Sequence, residues 1–417
     1  MEKELFRAII AENQEYIGRI PLVQRPLDLE EYGNYVFVGV RQAGKSYLLY
    51  QRIQQLLANG VEIENIVYIN FDDERLQGMS VTDFDLILQA YHSMYDSQPI
   101  FFFDEIQNVE GWANFARRLA NQKYHIYITG SNAKMLSRDI ETVLGGRYLD
   151  ISVFPYSFSE YLKAVGVLLS KNWQYGRKAN ELQRHFRTYF DWGGFPELVH
   201  FQEKRVWLNS LYNRIFFNDL VVRHKVKNED ALRLCVRRLA ESVKQPCSLN
   251  RLSNLIKATG TSCSPSTVME YVRYLQESCL LISIDNYVSK FVEKETIKKH
   301  YFVDNGLLHL FINNPNTSLL ENLCAITLYK KYGKGLYYYN KNIEVDFYVP
   351  DEGLAVQASY QMSDGETIER EVKALIALHG LYPLKRAMII TYEDEGEIVR
   401  DGLKIEIRPA WKWVLES

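Results

Sequence analysis

Gly39-Val40-Arg41-Gln42-Ala43-Gly44-Lys45-Ser46 decides how the rest of this chain is read. It has the form GxxxxGKS, a phosphate-binding loop. An apolar run, Tyr35 to Val38, precedes it, and a helix-forming stretch beginning Tyr47-Leu48-Leu49-Tyr50 follows it. The motif thus sits between a predicted strand and a predicted helix, the context it needs. Glycines let the backbone curl so that its N–H groups face a phosphate, and a helix N-terminus adds positive potential. Gly39, Gln42, Ala43, Gly44, Lys45, Ser46 and Tyr47 are the candidate nucleotide-binding positions. Lys45 is expected to reach the β- and γ-phosphates of ATP, and the Ser46 hydroxyl to ligate Mg²⁺.

Ile100-Phe101-Phe102-Phe103-Asp104-Glu105 supplies the complement: an apolar strand ending in two carboxylates. An ATPase needs one carboxylate to hold Mg²⁺ and a second to polarise the attacking water. Asp104 fits the first role and Glu105 the second. A further apolar run ends Thr129-Gly130-Ser131-Asn132. Ser131 and Asn132 either hold water near the γ-phosphate or cap a helix starting at Ala133. Arg147, in Gly145-Gly146-Arg147, reads as an arginine finger, acting in cis or toward a neighbouring subunit, or as a solvated surface residue.

The strands 36–38, 66–71, 100–104, 125–129 and 148–152 alternate with helices, which predicts a parallel α/β sheet buried on both faces. From Pro155 the pattern turns helical, over 157–165, 179–191 and 204–226, with Gly193-Gly194-Phe195-Pro196 as a structural turn. Three shorter helices (230–243, 248–257, 264–278) and the partly alternating stretch 280–288 outline a winged helix. The last section runs helix, three strands, helix, strand, the order of the restriction-endonuclease-like fold. The expected division is an N-terminal helix and arm (1–30), an ATPase core (31–155), a helical lid (156–228), a winged helix (229–290) and a nuclease-like domain (291–417).

The chain has 417 residues, enough for roughly two to four domains. Its 47% hydrophobic and 24% charged content suits a soluble globular protein with more than one core. A net charge of -3 excludes polyanion binding by the molecule as a whole, leaving only local patches. The five scattered cysteines form no CxxC pair and read as reduced cytoplasmic thiols. No run approaches the ~18 apolar residues of a membrane span, and the N-terminus lacks a signal-peptide core.

Taken together, GVRQAGKS, FFFDEIQNV, ITGSN, LGGRY, the run Phe154-Pro155-Tyr156-Ser157-Phe158-Ser159-Glu160-Tyr161 and GGFPE resemble one group of prokaryotic AAA+-type ATPases. There the ATPase module is followed by a conserved C-terminal domain of unknown function. Asn218-Asp219-Leu220-Val221-Val222-Arg223, Phe302-Val303-Asp304-Asn305-Gly306-Leu307 and Glu321-Asn322 match further marks of that group, so the resemblance covers nearly the whole chain. It implies ATP-site roles for Gly39, Gly44, Lys45, Ser46, Asp104 and Glu105, and favours catalytic roles for Ser131 and Arg147.

Two C-terminal features bear on output. From Lys225 to Arg273 nine Lys/Arg face four Asp/Glu, a local excess of five positive charges. With Ser262, Ser264, Ser266 and Thr267 at the start of the 264–278 helix, this suits duplex DNA; the alternative is a winged helix that only packs on protein. Nucleases of the fold named above place a helix Glu, a strand Asp and an acid-x-Lys around a metal. Glu321 and Asp346 fit the first two places, but the third reads Gln357-x-Ser359. The expectation is a degenerate nuclease fold with weak or no cleavage. Overall the sequence predicts a Mg²⁺-dependent ATPase that couples its nucleotide state to DNA, a protein partner or self-assembly through its C-terminal half. A slow nucleotide-gated switch and an ATP-controlled nuclease are the alternatives.

Overall fold

β1 (Asn34–Val38), β2 (Ile66–Asn70), β3 (Ile100–Asp104), β4 (His125–Gly130) and β5 (Tyr148–Ser152) are all parallel, in the spatial order β2-β3-β4-β1-β5. The computed structural model describes every residue except Glu31, Tyr32, 137–141, 363–364 and Ser417. The chain divides into two units, Met1–Phe154 and Pro155–Ser417. In the first, β1 to β4 are buried along nearly their whole length, which their continuous apolar runs require. Edge strand β5 is largely exposed, with Leu149 open to solvent. Aromatic stacking fills the core: Phe102 lies 4.7 Å from Tyr127, and Phe84 lies 4.3 Å from Phe115.

The expected separate N-terminal arm belongs to this unit. The helix Lys3–Tyr16 buries Phe6, Ile9 and Ile10, and its Asn13 side chain donates to the Tyr68 carbonyl. Each buried apolar side chain contributes about 1.5–3 kcal/mol, so the helix has no reason to stand apart.

The second unit carries β6 (Cys247–Ser248), β7 (Leu281–Asn286), β8 (Ile297–Phe302), β9 (Tyr337–Asn340), β10 (Glu344–Val349), β11 (Leu354–Ala358), β12 (Arg386–Thr391), β13 (Gly396–Arg400) and β14 (Leu403–Pro409). They form one sheet, ordered β13-β14-β12-β11-β10-β9-β7-β8-β6. Helices Glu229–Glu241, Leu249–Lys257 and Pro265–Glu277 precede the antiparallel pair β7–β8. The expected boundary at 290/291 therefore falls inside a strand pair. β7 also pairs in parallel with β9, Asp285 opposite Tyr337, so the sheet runs unbroken into the C-terminal α/β layer. The long helix predicted over 204–226 runs unbroken over residues 204–224, α-helical over Lys204–Arg214, π-helical over Ile215–Val222 and α-helical again at its last two residues.

Three of the quoted motifs meet inside this unit. Gly194 N–H donates to Asp304 Oδ2 at 2.7 Å, and the Gly194 carbonyl accepts from Tyr156 N–H at 2.7 Å. Gly193 has φ +77°, and a Cβ there would stand 1.9 Å from Asp304 Oδ1. Gly193 is required against that carboxylate, and Gly194 against the Tyr156 carbonyl oxygen, which would lie 2.2 Å from its Cβ.

Candidate nucleotide site

The loop after β1 closes tightly on its own sheet. A Cβ on Gly39 would lie 2.0 Å from the Val153 carbonyl oxygen, so glycine is required. Gln42 (φ 63°) and Gly44 (φ 91°) take left-handed conformations that turn the chain into the helix Lys45–Ala58. Arg25, from the N-terminal arm, braces the turn: its Nη1 donates to the Ala43 carbonyl at 3.1 Å and its Nη2 to that of Phe154 at 2.9 Å.

Lys45 is 4% exposed. Its ammonium donates to the carbonyls of Gly39 (3.2 Å) and Val40 (3.3 Å) and lies 3.3 Å from Glu105 Oε1. Asp104 is buried at the end of β3 and accepts hydrogen bonds from Tyr68 Oη at 2.7 Å, Thr129 Oγ1 and Ser46. Burial, then the neighbouring Glu105 charge, pushes its pKa up against those hydroxyl bonds. For Glu105, burial also pushes upward, but Lys45 and bonds from Gln107 and Ser131 outweigh it and hold the pKa down to about 2. Glu105 has φ 52°, uncommon outside glycine, and this directs its carboxylate across the ends of β1 and β4.

The strand order explains the assembly. β4 lies between β1 and β3, so its end supplies a bridge between loop and carboxylates. Thr129 Oγ1 donates to Asp104 and accepts from Glu105 N–H at 3.0 Å. Ser131 N–H donates to Glu105 Oε2 at 3.2 Å, and Gln107 Nε2 donates to Glu105 Oε2 and to Ser131 Oγ at 3.4 Å. Gln107 Oε1 is buried and has no hydrogen-bond partner among the described residues. Tyr68, Gln107 and Thr129 are functional candidates that motif reading misses. Thr129 and Gln107 lie within quoted motifs that give them no role, and polar side chains at or just after the carboxyl ends of buried strands are the available signal.

Lys45, Ser46, Asp104, Glu105 and Ser131 are thus brought together, with Gly39, Gln42, Ala43 and Gly44 forming the loop above them. Tyr47 is 53% exposed, its ring edge-on to Tyr50. Arg147 is not brought in. β5 pairs with β1 so that Tyr148 faces Asn34 and Ser152 faces Val38. Arg147 therefore lies at the opposite, amino-terminal end of the strands from the loop, about 16 Å along them at ~3.3 Å per residue. Its Nη1 donates to the Gly145 carbonyl at 3.0 Å. A finger acting in cis does not fit this placement.

The Asp104–Ser46 pair fits Mg²⁺ by its chemistry. It is a buried carboxylate bonded to a hydroxyl, both hard oxygen donors, at a point where a neighbouring carboxylate leaves negative charge to offset.

In the second unit, Glu321 and Asp346 are brought together, around an ammonium from Lys299. The hydroxyls expected to read DNA instead bond one another: Ser264 Oγ lies 2.7 Å from Ser266 Oγ and 2.8 Å from Thr267 Oγ1, and accepts from Thr267 N–H as a helix cap. Of the cations in that segment, Arg233 stacks 4.0 Å from the Phe216 ring centre, and Arg238 and Arg273 pair with Glu241 and Glu277. Lys225, Lys227, Arg237 and Lys257 are exposed and form no ion pair among the described residues. No helix is long and apolar enough to cross a membrane among the described residues.

A family model described as an AAA domain matches residues 32–162, and one described as a domain of unknown function matches 183–318. An uncharacterized protein of Methanocaldococcus jannaschii is 31% identical over 434 aligned residues, covering 99% of this chain and 96% of that one. An uncharacterized protein of Haemophilus influenzae is 30% identical, covering 91% and 94%. Among solved structures, the chain is similar to a Walker-type ATPase of Pyrococcus abyssi at 13% identity and a TM-score of 0.39, covering 74% of this chain and 95% of that chain. With a phosphate loop at the end of β1, paired carboxylates at the end of β3 and relatives matched along almost their whole length, the chain belongs to this family of AAA-type P-loop ATPases with a C-terminal domain of unknown function.

Proposed function

We propose that the protein binds and hydrolyses ATP with Mg²⁺ and uses the nucleotide state to control engagement of DNA or a protein partner by its second unit. The observation that carries the reading is the convergence of Lys45, Ser46, Asp104 and Glu105, bridged by Thr129. Backbone amides of the loop and Lys45 would hold the phosphates. Ser46 and Asp104 would hold Mg²⁺, which when bound offsets charge on the phosphate oxygens.

Lys45 also sets when Glu105 becomes a base. Beside the ammonium, the carboxylate is held at a pKa of about 2 and is a poor proton acceptor. A triphosphate competes for the same ammonium. Once it is drawn away, the charge that holds Glu105 down is removed while the burial that raises it remains. Gln107 and Ser131 keep the carboxylate oriented, and the unpartnered Gln107 Oε1 is an acceptor suited to the attacking water. An arginine finger role for Arg147 would have to be exercised on a neighbouring chain.

Engagement of DNA is supported by the element order helix, β6, helix, helix, β7, β8, which is that of a winged helix, and by the exposed Lys225, Lys227, Arg237 and Lys257, which form no ion pair among the described residues. Steady-state phosphate release with and without duplex DNA tests the whole reading. Stimulation by DNA that is lost on reversing those four charges supports coupling to DNA. Slow turnover indifferent to DNA, with ATP-dependent assembly in light scattering, favours a nucleotide-gated switch. No phosphate release under any condition overturns the ATPase.

A further inference from the structure

A cavity of about 990 Å³ in the second unit is lined by Glu321, Glu344, Asp346, Gln357 and Ser359. Glu321, Asp346, Gln357 and Ser359 stand where the nuclease-like fold would carry its metal site, and Glu344 lies beside them. Behind them stands Lys299, on β8, with its side chain 0% exposed. Its ammonium lies 3.0 Å from Asp346 Oδ1, 3.2 Å from Glu321 Oε1 and 3.3 Å from Glu344 Oε1. The Tyr338 ring lies 5.8 Å from the same nitrogen.

Several of the other polar groups there are held by further partners. Asp346 Oδ2 accepts from Ala358 N–H at 3.1 Å, and Glu321 Oε1 also accepts from Tyr301 Oη at 2.9 Å. Gln357, in the place of the missing acid, is pinned to backbone: it accepts from Asp346 N–H at 2.8 Å and donates to the Glu344 carbonyl at 3.1 Å. Ser359 donates to the Gln361 carbonyl at 3.2 Å. Among the described residues no cluster of three or more His, Cys, Asp or Glu is arranged to hold a metal. The residues present therefore do not fit the metal that the fold implies.

We propose that Lys299 is the resident cation of this pocket: its ammonium fills the divalent-metal position and closes the pocket to metal. A divalent ion entering here would have to expel a fully buried charge from three carboxylate partners. Removing one member of such a set leaves the others uncompensated. Taking away the lysine charge, then, should turn the pocket into a cation site with Glu321, Glu344 and Asp346 as ligands. The inference is independent of the ATP site.

The test is Mn²⁺ titration of the nucleotide-free full chain by electron paramagnetic resonance, with melting followed in parallel. Wild type and Asp346→Asn should bind Mn²⁺ identically, because the pocket takes none in either. Lys299→Ala should gain one Mn²⁺ per chain, at least tenfold tighter than anything in wild type. That site should vanish in Lys299→Ala/Asp346→Asn. If Lys299→Ala does not fold alone, Mn²⁺ should restore its cooperative melting. A wild-type site removed by Asp346→Asn overturns the proposal. So does a folded Lys299→Ala that gains no site, or an unfolded one that Mn²⁺ does not rescue.

Discussion

The Lys45 ammonium lies 3.3 Å from the Glu105 carboxylate while also resting on the carbonyls of Gly39 and Val40. One side chain thus ties the phosphate loop to the candidate base. Lys45→Met should abolish ATP binding, measured with a fluorescent ATP analogue. Glu105→Gln should keep binding and slow phosphate release roughly 10²–10⁴-fold, the range expected for loss of a general base. Wild-type turnover in Glu105→Gln would remove that residue from the mechanism.

Thr129 serves two partners at once, donating to Asp104 and accepting from Glu105 N–H. Thr129→Val keeps the shape and leaves the Glu105 amide without its acceptor. The expected cost is about 1–3 kcal/mol, with a drop in turnover. Thr129→Ser should restore most of both. Denaturant midpoints and kcat for the pair of variants separate this from a simple packing role.

Gly193 packs against the Asp304 carboxylate in a left-handed conformation. Gly193→Ala meets both a steric overlap and an unfavourable φ, and should destabilise the second unit by roughly 2–4 kcal/mol. Gly260, also at positive φ but with no heavy atom within 4 Å of a Cβ, is the control, and Gly260→Ala should cost less. Equal melting losses for the two would show that the overlap is relieved cheaply.

His300 gives a pH signature. It is buried on β8 with Nδ1 2.8 Å from Ser283 Oγ, and burial, then the nearby Lys298 charge, lowers its pKa to about 4. The unfolded chain takes up a proton near pH 6.5, whereas the folded chain resists it until about pH 4. Stability should therefore fall as pH drops through that window, by on the order of 3 kcal/mol from this residue, and level off below it. Denaturant midpoints for wild type should fall more steeply between pH 7 and 4.5 than those of His300→Gln. Parallel curves would mean that His300 titrates normally.

The ATPase core was legible because its signals are local. β1 to β4 are runs buried on both faces, and the loop and the Asp104–Glu105 pair each stand at the end of one run. What pairs with what was not legible. Thr129 matters because β4 lies between β1 and β3, and strand order is absent from any single segment. For Arg147 the motif LGGRY is visible, but the parallel register that carries it to the amino-terminal end of the strands is not. Lys299 reaches Glu321 and Asp346 across 22 and 47 residues, beyond any spacing rule. The hairpin β13–β14 is a different failure. Asp401 (φ 48°) and Gly402 (φ 78°) form its turn, and an Asp-Gly pair is a readable hairpin signal that went unused.

The parallel pairing of β7 with β9 decides how interchangeable the pieces of the second unit are. Modules strung on flexible linkers can be swapped between proteins at little structural cost. Here a graft made at residue 290 would part β7 from both β8 and β9, and β6 from β8, leaving raw strand edges open to pairing with other chains. Any replacement for the C-terminal layer must arrive with an edge strand matched in direction and register to Asp285 and Asn286. The two parts must therefore be engineered as one piece.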